Sequence, residues 1–220
     1  MLSIIHRLCE PWLPEILFED EGLLIVYKPS GLLAVPGRGP EKQDCLASRL
    51  RVKHPEALIV HRLDMATSGL MVLARNKDMH RRLSILFGQR QVKKTYVAVV
   101  DGALARATGE IDLPLLADWP NRPLQKVDFD VGKPSLTRYR QLSYDPGSDS
   151  SRLELHPETG RTHQLRLHLQ AIGHPILGDA LYASATIQAK AERLLLHAEG
   201  LSFSHPEDGV AMSFSCPAPF

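Results

Sequence analysis

The chain reads as an α+β protein built on a mostly antiparallel sheet with peripheral helices. Two observations predict this: strand-like segments outnumber helical ones, and most of them sit at hairpin-like spacing, joined by short turns. Its 220 residues suffice for one sizeable core or two small ones.

Taken in order, "EILFEDEGLLIVYKPSGLLAVP" (15–36) predicts two short strands around an acidic turn, ended by Pro29 and Gly31. "VPGRGPEKQD" (35–44) is loop. "GLMVLARNK" (69–77) is a buried strand that emerges into basic surface. Met79, Leu83, Leu86 and Phe87 fall at i, i+4, i+7 and i+8, so residues 77–91 predict an amphipathic helix. "KTYVAVVDG" follows as a strand. "LTRYRQLSY" and "SRLELHP" form a strand pair through the "DPGSDS" turn. Residues 162–172, "THQLRLHLQAI", predict a helix capped by Thr162 and ended by Gly173, with Leu165, Leu169 and Ile172 as its buried stripe. "GLSFSH" and "VAMSFS" make a final strand pair.

Composition narrows the class. A hydrophobic fraction of 44% with 23% charged residues is that of a soluble globular protein. No apolar run approaches the roughly 18 residues a membrane span needs. The opening "MLSIIHRLCEPWLPE" has no basic segment ahead of its apolar patch and no small-residue cleavage site, so no signal peptide is expected. Cys9, Cys45 and Cys216 are odd in number and far apart, which argues against a disulfide framework and for a reducing compartment, the cytoplasm. No CxxC, HxxxH or Cys/His cluster occurs, so no metal site is expected. The net charge of +1 hides an uneven distribution. Residues 75–94 carry seven Lys or Arg against one Asp, a local charge of +6, while residues 10–21 carry five acids and no base. A basic stretch of this kind suits phosphate, although a solvated helix face has the same composition.

Four stretches carry candidate chemistry. In "HRLDMATSG" (61–69) Asp64 precedes a strand, with Arg62 two positions back and apolar neighbours on both sides. Apolar neighbours desolvate a carboxylate and a nearby guanidinium keeps it ionised, which together make a nucleophile or base. On these nine residues alone a turn-capping Asp64 is the preferred reading. In "ETGRTHQLRLH" (158–168), Arg161, His163, Arg166 and His168 surround a helix start, a setting for anions or for a mixed-charge surface helix. Tyr96 alternates with valines on its strand, as a core residue or as a face on which a base stacks. "KPSGL" (28–32) places Lys28 ahead of a tight turn. No GxxxxGK[ST], GxGxxG or GxSxG segment is present.

Together these motifs resemble the pseudouridine synthases of the RluA type, over nearly the whole chain. "HRLDMATSGLMVLARNK" is similar to the family's catalytic motif, "KKTYVAVVDG" to its tyrosine strand and "GRTHQLRLHLQAIGHPILGDALY" to its arginine motif. "RLLLHAEGLSFSHP" is similar to its C-terminal segment and "KPSGL" to its first motif. "DLPLLADWPNRPLQKV" (112–127) resembles a dual-specificity branch that acts on stem-loops of 23S ribosomal RNA and on the tRNA anticodon arm.

The resemblance implies a mixed, largely antiparallel sheet around a central basic cleft. It also implies a single catalytic domain, residues 1–220, without an accessory RNA-binding domain and acting as a monomer. Asp64 is then the catalytic carboxylate, Arg161 its charge partner, and Tyr96 the residue that stacks on uracil. Arg62 fills the space left by a flipped uridine, and Leu195 or Leu196 walls the base pocket. His61, Lys93, Lys94 and Arg166 are expected to contact RNA. Isomerisation of uridine involves no redox step and releases no base, so no cofactor is expected. Two other readings stay open on the residues alone: a non-catalytic RNA-binding module, and a glycosidase using Asp64 and Glu158 as a carboxylate pair.

Overall fold

The computed structural model describes residues 13–220. The N-terminal segment read above for a signal peptide lies mostly outside them, as does Cys9. Twelve strands are described: β1 (Ile16–Glu19), β2 (Leu23–Lys28), β3 (Leu58–Ile59), β4 (Ser68–Ala74), β5 (Lys93–Asp101), β6 (Thr108–Asp112), β7 (Leu115–Ala117), β8 (Gln125–Val127), β9 (Leu136–Asp145), β10 (Ser150–Pro157), β11 (Leu196–Ser204) and β12 (Ala211–Ser215). Four α-helices accompany them: α1 (Leu46–Leu50), α2 (Lys77–Gly88), α3 (Gln164–Ala171) and α4 (Ala185–Gln188).

Ten strands form one sheet in the order β1-β2-β4-β11-β5-β10-β9-β6, with β3 added to β4 and β12 to β11; β7 and β8 form a separate ribbon. Every pairing between these strands is antiparallel except β4 with β11, where Ser68 and Gly69 face His197 and Ala198. The sheet is therefore mixed and mostly antiparallel, as the sequence predicts. Gly69 explains how β4 and β11 come together. Its φ is +122°, and a Cβ there would run into the Ala198 backbone, so only glycine lets the strands meet.

The alternation of β2 and β4 separates two cores. Leu24, Val26, Met71 and Leu73 face α1, while Leu23, Ile25, Leu70 and Val72 face Met79 and Leu83 of α2. β4 is buried along its whole length because both faces are covered. α2 starts where Asn76 Oδ1 accepts the Met79 amide at 2.8 Å. A third core packs Leu165 and Leu169 of α3 against Ala98, Val100, Leu153 and Leu155.

α3 departs from expectation in two respects. It starts at Gln164 rather than Thr162, because His163 is left-handed (φ 55°) and no side chain caps the helix. It is also buried from Gln164 to Leu169, while Ile172 is exposed. His168, read as part of a cationic face, has no exposure and hydrogen bonds to Thr137 Oγ1 (3.0 Å) and the Leu113 carbonyl (3.1 Å). Cys45 and Cys216 are both free thiols. Among the described residues, no helix is long and apolar enough to cross a membrane.

Candidate active site

Asp64 lies on the loop that leads into β4, where its carbonyl accepts the Thr67 amide at 3.1 Å to close a turn. The loop is gripped from behind by "KPSG". Lys28 is fully buried at the end of β2 and donates to the carbonyls of Leu32 (2.7 Å), Pro29 (2.8 Å) and Met65 (3.1 Å). Ser30 Oγ donates to the Ala66 carbonyl at 2.7 Å, and the Gly31 amide to the Met65 carbonyl at 2.8 Å. The two residues after Asp64 are thus pinned by their main chain, which leaves its carboxylate facing the cleft. Burial pushes the Lys28 ammonium down to about 7, against the pull of Asp64.

The carboxylate sits in a small cavity of about 110 Å³, lined among others by Arg62, Lys94, Tyr96, Arg161, His163, Arg166 and Leu196. Its ion partner is Arg166, with Nη1 at 3.7 Å from Asp64 Oδ2. This corrects the expected pairing with Arg161. Arg161 precedes α3 and points its Nε at the Pro134 carbonyl, 3.4 Å away, whereas Arg166 projects inward from the first turn of the helix. Nor is Arg166 a surface RNA contact. It is 5% exposed and makes a bidentate pair with Asp179, Nε–Oδ2 at 2.8 Å and Nη2–Oδ1 at 2.6 Å. Burial works against its charge, but the hydrogen bonds and charge of Asp179, with that of Asp64, hold its pKa above the ordinary guanidinium value. Asp179 itself has no exposure and accepts the amides of Leu181 and Tyr182.

Asp179 was not singled out as a site residue, and neither were two further residues of this centre, His163 and Tyr182. His163 places Nε2 at 4.0 Å from Asp64 and shares a 2.8 Å hydrogen bond through Nδ1 with Tyr182 Oη, which accepts the Gln125 amide at 2.9 Å. Burial lowers the His163 pKa, so its approach to Asp64 is that of a neutral imidazole. The Arg166 guanidinium also lies over the Tyr182 ring, 5.2 Å from its centroid. His163, Asp179 and Tyr182 all lie in the "GRTHQLRLHLQAIGHPILGDALY" motif, but none was given a role there.

Tyr96 lines the cavity from β5, and burial, with the Asp64 charge adding, keeps its phenol protonated well above the usual range. Leu196 lines it from β11, and Leu195 does not. Arg62 is exposed at the mouth and makes no ion pair or hydrogen bond among the described residues. Lys94 lines the cavity while Lys93, its strand neighbour, projects from the opposite face. His61 does not contribute a cation. It accepts the Val72 amide through Nε2 (3.1 Å), stacks on Phe87 at 4.6 Å, and burial depresses its pKa to about 3. The basic stretch 75–94 also divides. Arg75 pairs with Glu19 and Glu56, and Arg81 and Arg82 pair with Asp78, so the cleft receives only part of its charge. Glu158 is absent from the wall of the Asp64 cavity and pairs with Arg138 at 3.1 Å, which removes the geometric basis for an Asp64–Glu158 catalytic pair.

A carboxylate beside a buried guanidinium and a protonated tyrosine, on a mixed sheet, is the arrangement expected of a pseudouridine synthase, and comparison with known proteins shows that family. The chain belongs to the RNA pseudouridylate synthase family, whose model matches residues 22–171. It is 51% identical over 96% of its length to the dual-specificity RNA pseudouridine synthase RluA of Escherichia coli K12, covering 95% of that protein. It is also 51% identical over 93% of its length to the protein of the same name from Yersinia pestis, covering 99% of it. Among solved structures, the human RNA pseudouridylate synthase domain containing 1 superposes with a TM-score of 0.79 at 28% identity, covering 94% of this chain and 84% of that one.

Proposed function

We propose that this chain isomerises uridine to pseudouridine in stem-loops of 23S ribosomal RNA and of the tRNA anticodon arm, as a monomeric, single-domain cytoplasmic enzyme. The observation that carries the reading is the Asp64–Arg166–Asp179 arrangement. Arg166 is locked to Asp179 and stands at ion-pair but not hydrogen-bond distance from Asp64. The carboxylate thus faces a fixed positive charge, yet its oxygens stay available to a sugar. Attack on the sugar and removal of a sugar proton to give a glycal-like species are both open to a carboxylate so placed.

The remaining roles follow from position. A cavity of about 110 Å³ is well below the roughly 300–1,000 Å³ of a drug-sized ligand pocket and suits a single base. Tyr96 offers that base a stacking face and Leu196 an apolar wall. Taking uridine out of its stack costs roughly a few kcal/mol. Arg62, unpaired at the mouth, would fill the vacated space, and Lys94 and Arg161, which line the same cavity, would meet the strand.

The test is product analysis on unmodified ribosomal RNA fragments and tRNA anticodon stem-loops. The wild-type chain is expected to give pseudouridine. Asp64→Asn should lose at least about 1,000-fold in rate while keeping its fold and RNA affinity. Release of free uracil would make the protein a glycosidase, and bound but unchanged RNA a silent binding module.

A further inference from the structure

A second cavity, of about 510 Å³, adjoins the Asp64 cavity and shares Arg62, Lys94, Tyr96 and Arg161 with it. Its outer wall is the turn that ends α2. That turn is a Schellman motif: the Gln91 amide bonds the Leu86 carbonyl (2.9 Å) and the Arg90 amide bonds the Phe87 carbonyl (3.2 Å). The motif requires a left-handed residue at Arg90, and φ there is 60°. Glycine normally takes this position because a Cβ is disfavoured in it. Here glycine stands two residues earlier, at Gly88, still inside the helix. A left-handed arginine persists only where something over-determines it. Among the described residues the Arg90 side chain is exposed and has no hydrogen-bond or ion-pair partner that would do so.

The cavity is also short of negative charge. Arg62, Arg90, Lys94 and Arg161 line it against one acid, Glu158, which already pairs with Arg138. Burial lowers the Lys94 pKa; Glu158 opposes this, and the nearby Arg90 adds to it. Four cations facing one acid that is already paired, on the path leading from the Asp64 cavity, leave room for an anion. We propose that Arg90 is a phosphate-binding residue, held in a strained conformation so that its guanidinium grips an RNA phosphodiester flanking the flipped uridine. This rests on reading the Asp64 cavity as the uridine site.

The experiment measures binding of a target stem-loop over a range of salt, alongside thermal melts, for the wild-type chain, Arg90→Gly and Arg90→Lys. Arg90→Gly is expected to bind about 3–10-fold more weakly, with a log–log salt slope shallower by about 0.7–0.9 for the one phosphate released. Its Tm should hold or rise by about 2–4 °C, since the backbone strain is gone. Arg90→Lys should keep the slope. A methylphosphonate at one of the two phosphates flanking the uridine should erase the difference between wild type and Arg90→Gly. An unchanged slope in Arg90→Gly would overturn the proposal, as would a lower Tm with undiminished affinity, which would make Arg90 a structural cap. If the wild-type chain bound RNA but formed no pseudouridine, the uridine reading would fall. The slope difference would still decide the phosphate contact.

Discussion

Arg166 meets two carboxylates unequally: Nε and Nη2 close on Asp179 at 2.8 and 2.6 Å, while Nη1 stands 3.7 Å from Asp64. The tight pair fixes the guanidinium, and the loose one leaves the Asp64 carboxylate at ion-pair rather than hydrogen-bond distance from it. Arg166→Met should cost about 3–5 kcal/mol of stability, because it leaves Asp179 buried and unpaired. Arg166→Lys keeps the charge but not the two-pronged fork. It should fold and bind RNA, yet lose at least about 10-fold in kcat. Single-turnover pseudouridine assays and thermal melts measure both, and wild-type turnover by a folded Arg166→Lys would remove Arg166 from the mechanism.

Arg62 stands unpaired at the mouth of the cavity, with no salt bridge to Asp20 or a neighbouring acid among the described residues. If it fills the space of a flipped base, Arg62→Ala should lose much more activity on a structured stem-loop than on an unstructured strand containing the same uridine. Rates on the two substrates, taken side by side, decide the matter. Equal losses would assign Arg62 a purely electrostatic role.

Acid should destabilise the fold through its buried histidines. His61 has a folded pKa of about 3 against 6.5 for the free side chain. Because the folded value is the depressed one, the unfolded chain binds more protons between them. The stability His61 contributes is complete above about pH 6.5 and is lost as pH falls toward 3. From pH 7 to 5 the loss from His61 alone is about 2 kcal/mol. His163, His168 and His197 are lowered by burial as well and steepen the fall. Urea unfolding at the two pH values measures the loss, and His61→Gln, which retains an acceptor for Val72, should reduce it by that amount. Equal stability of the wild-type chain at both pH values would contradict the assignment.

Gly69→Ala places a methyl group against the Ala198 backbone at an already unfavourable φ. Neither strand can move away without unzipping its other neighbour, so the cost should be about 3–5 kcal/mol, large for one methyl group. A drop in Tm of about 6–20 °C checks it. Gly209→Ala, in an open turn with nothing near the added Cβ, serves as the control and should cost less.

Much of the fold was legible because its signals are local. The apolar run of β2, the strand pattern of β9 and β10, the stripe of α2 and the turns between them are readable from neighbours a few positions apart. The site was legible only in part. "HRLD" and "GRTHQLR" mark the right segments, but choosing between Arg161 and Arg166 depends on where α3 begins. That start is set by His163 in a left-handed conformation, which no capping residue announces. The burial of Gln164 to Leu169 was hidden because Gln164, Arg166 and His168 are satisfied by Thr137, Asp179 and Leu113, partners distant in sequence. Likewise "KPSGL" looked generic, since its purpose lies in carbonyls some 37 residues downstream.

The pairing of β4 with β11 also bears on how the protein is made. Between Ala74 and Leu196 a ribosome must add about 120 residues, which takes about 6–24 s at ordinary elongation rates. During that interval the Ser68–Gly69 end of β4 has no partner on the side later taken by β11, and it belongs to an apolar strand. A nascent chain of this protein thus carries an open, sticky edge beside Asp64 until Leu196–Ser204 emerge, which makes the Asp64 loop a natural place for a chaperone to bind.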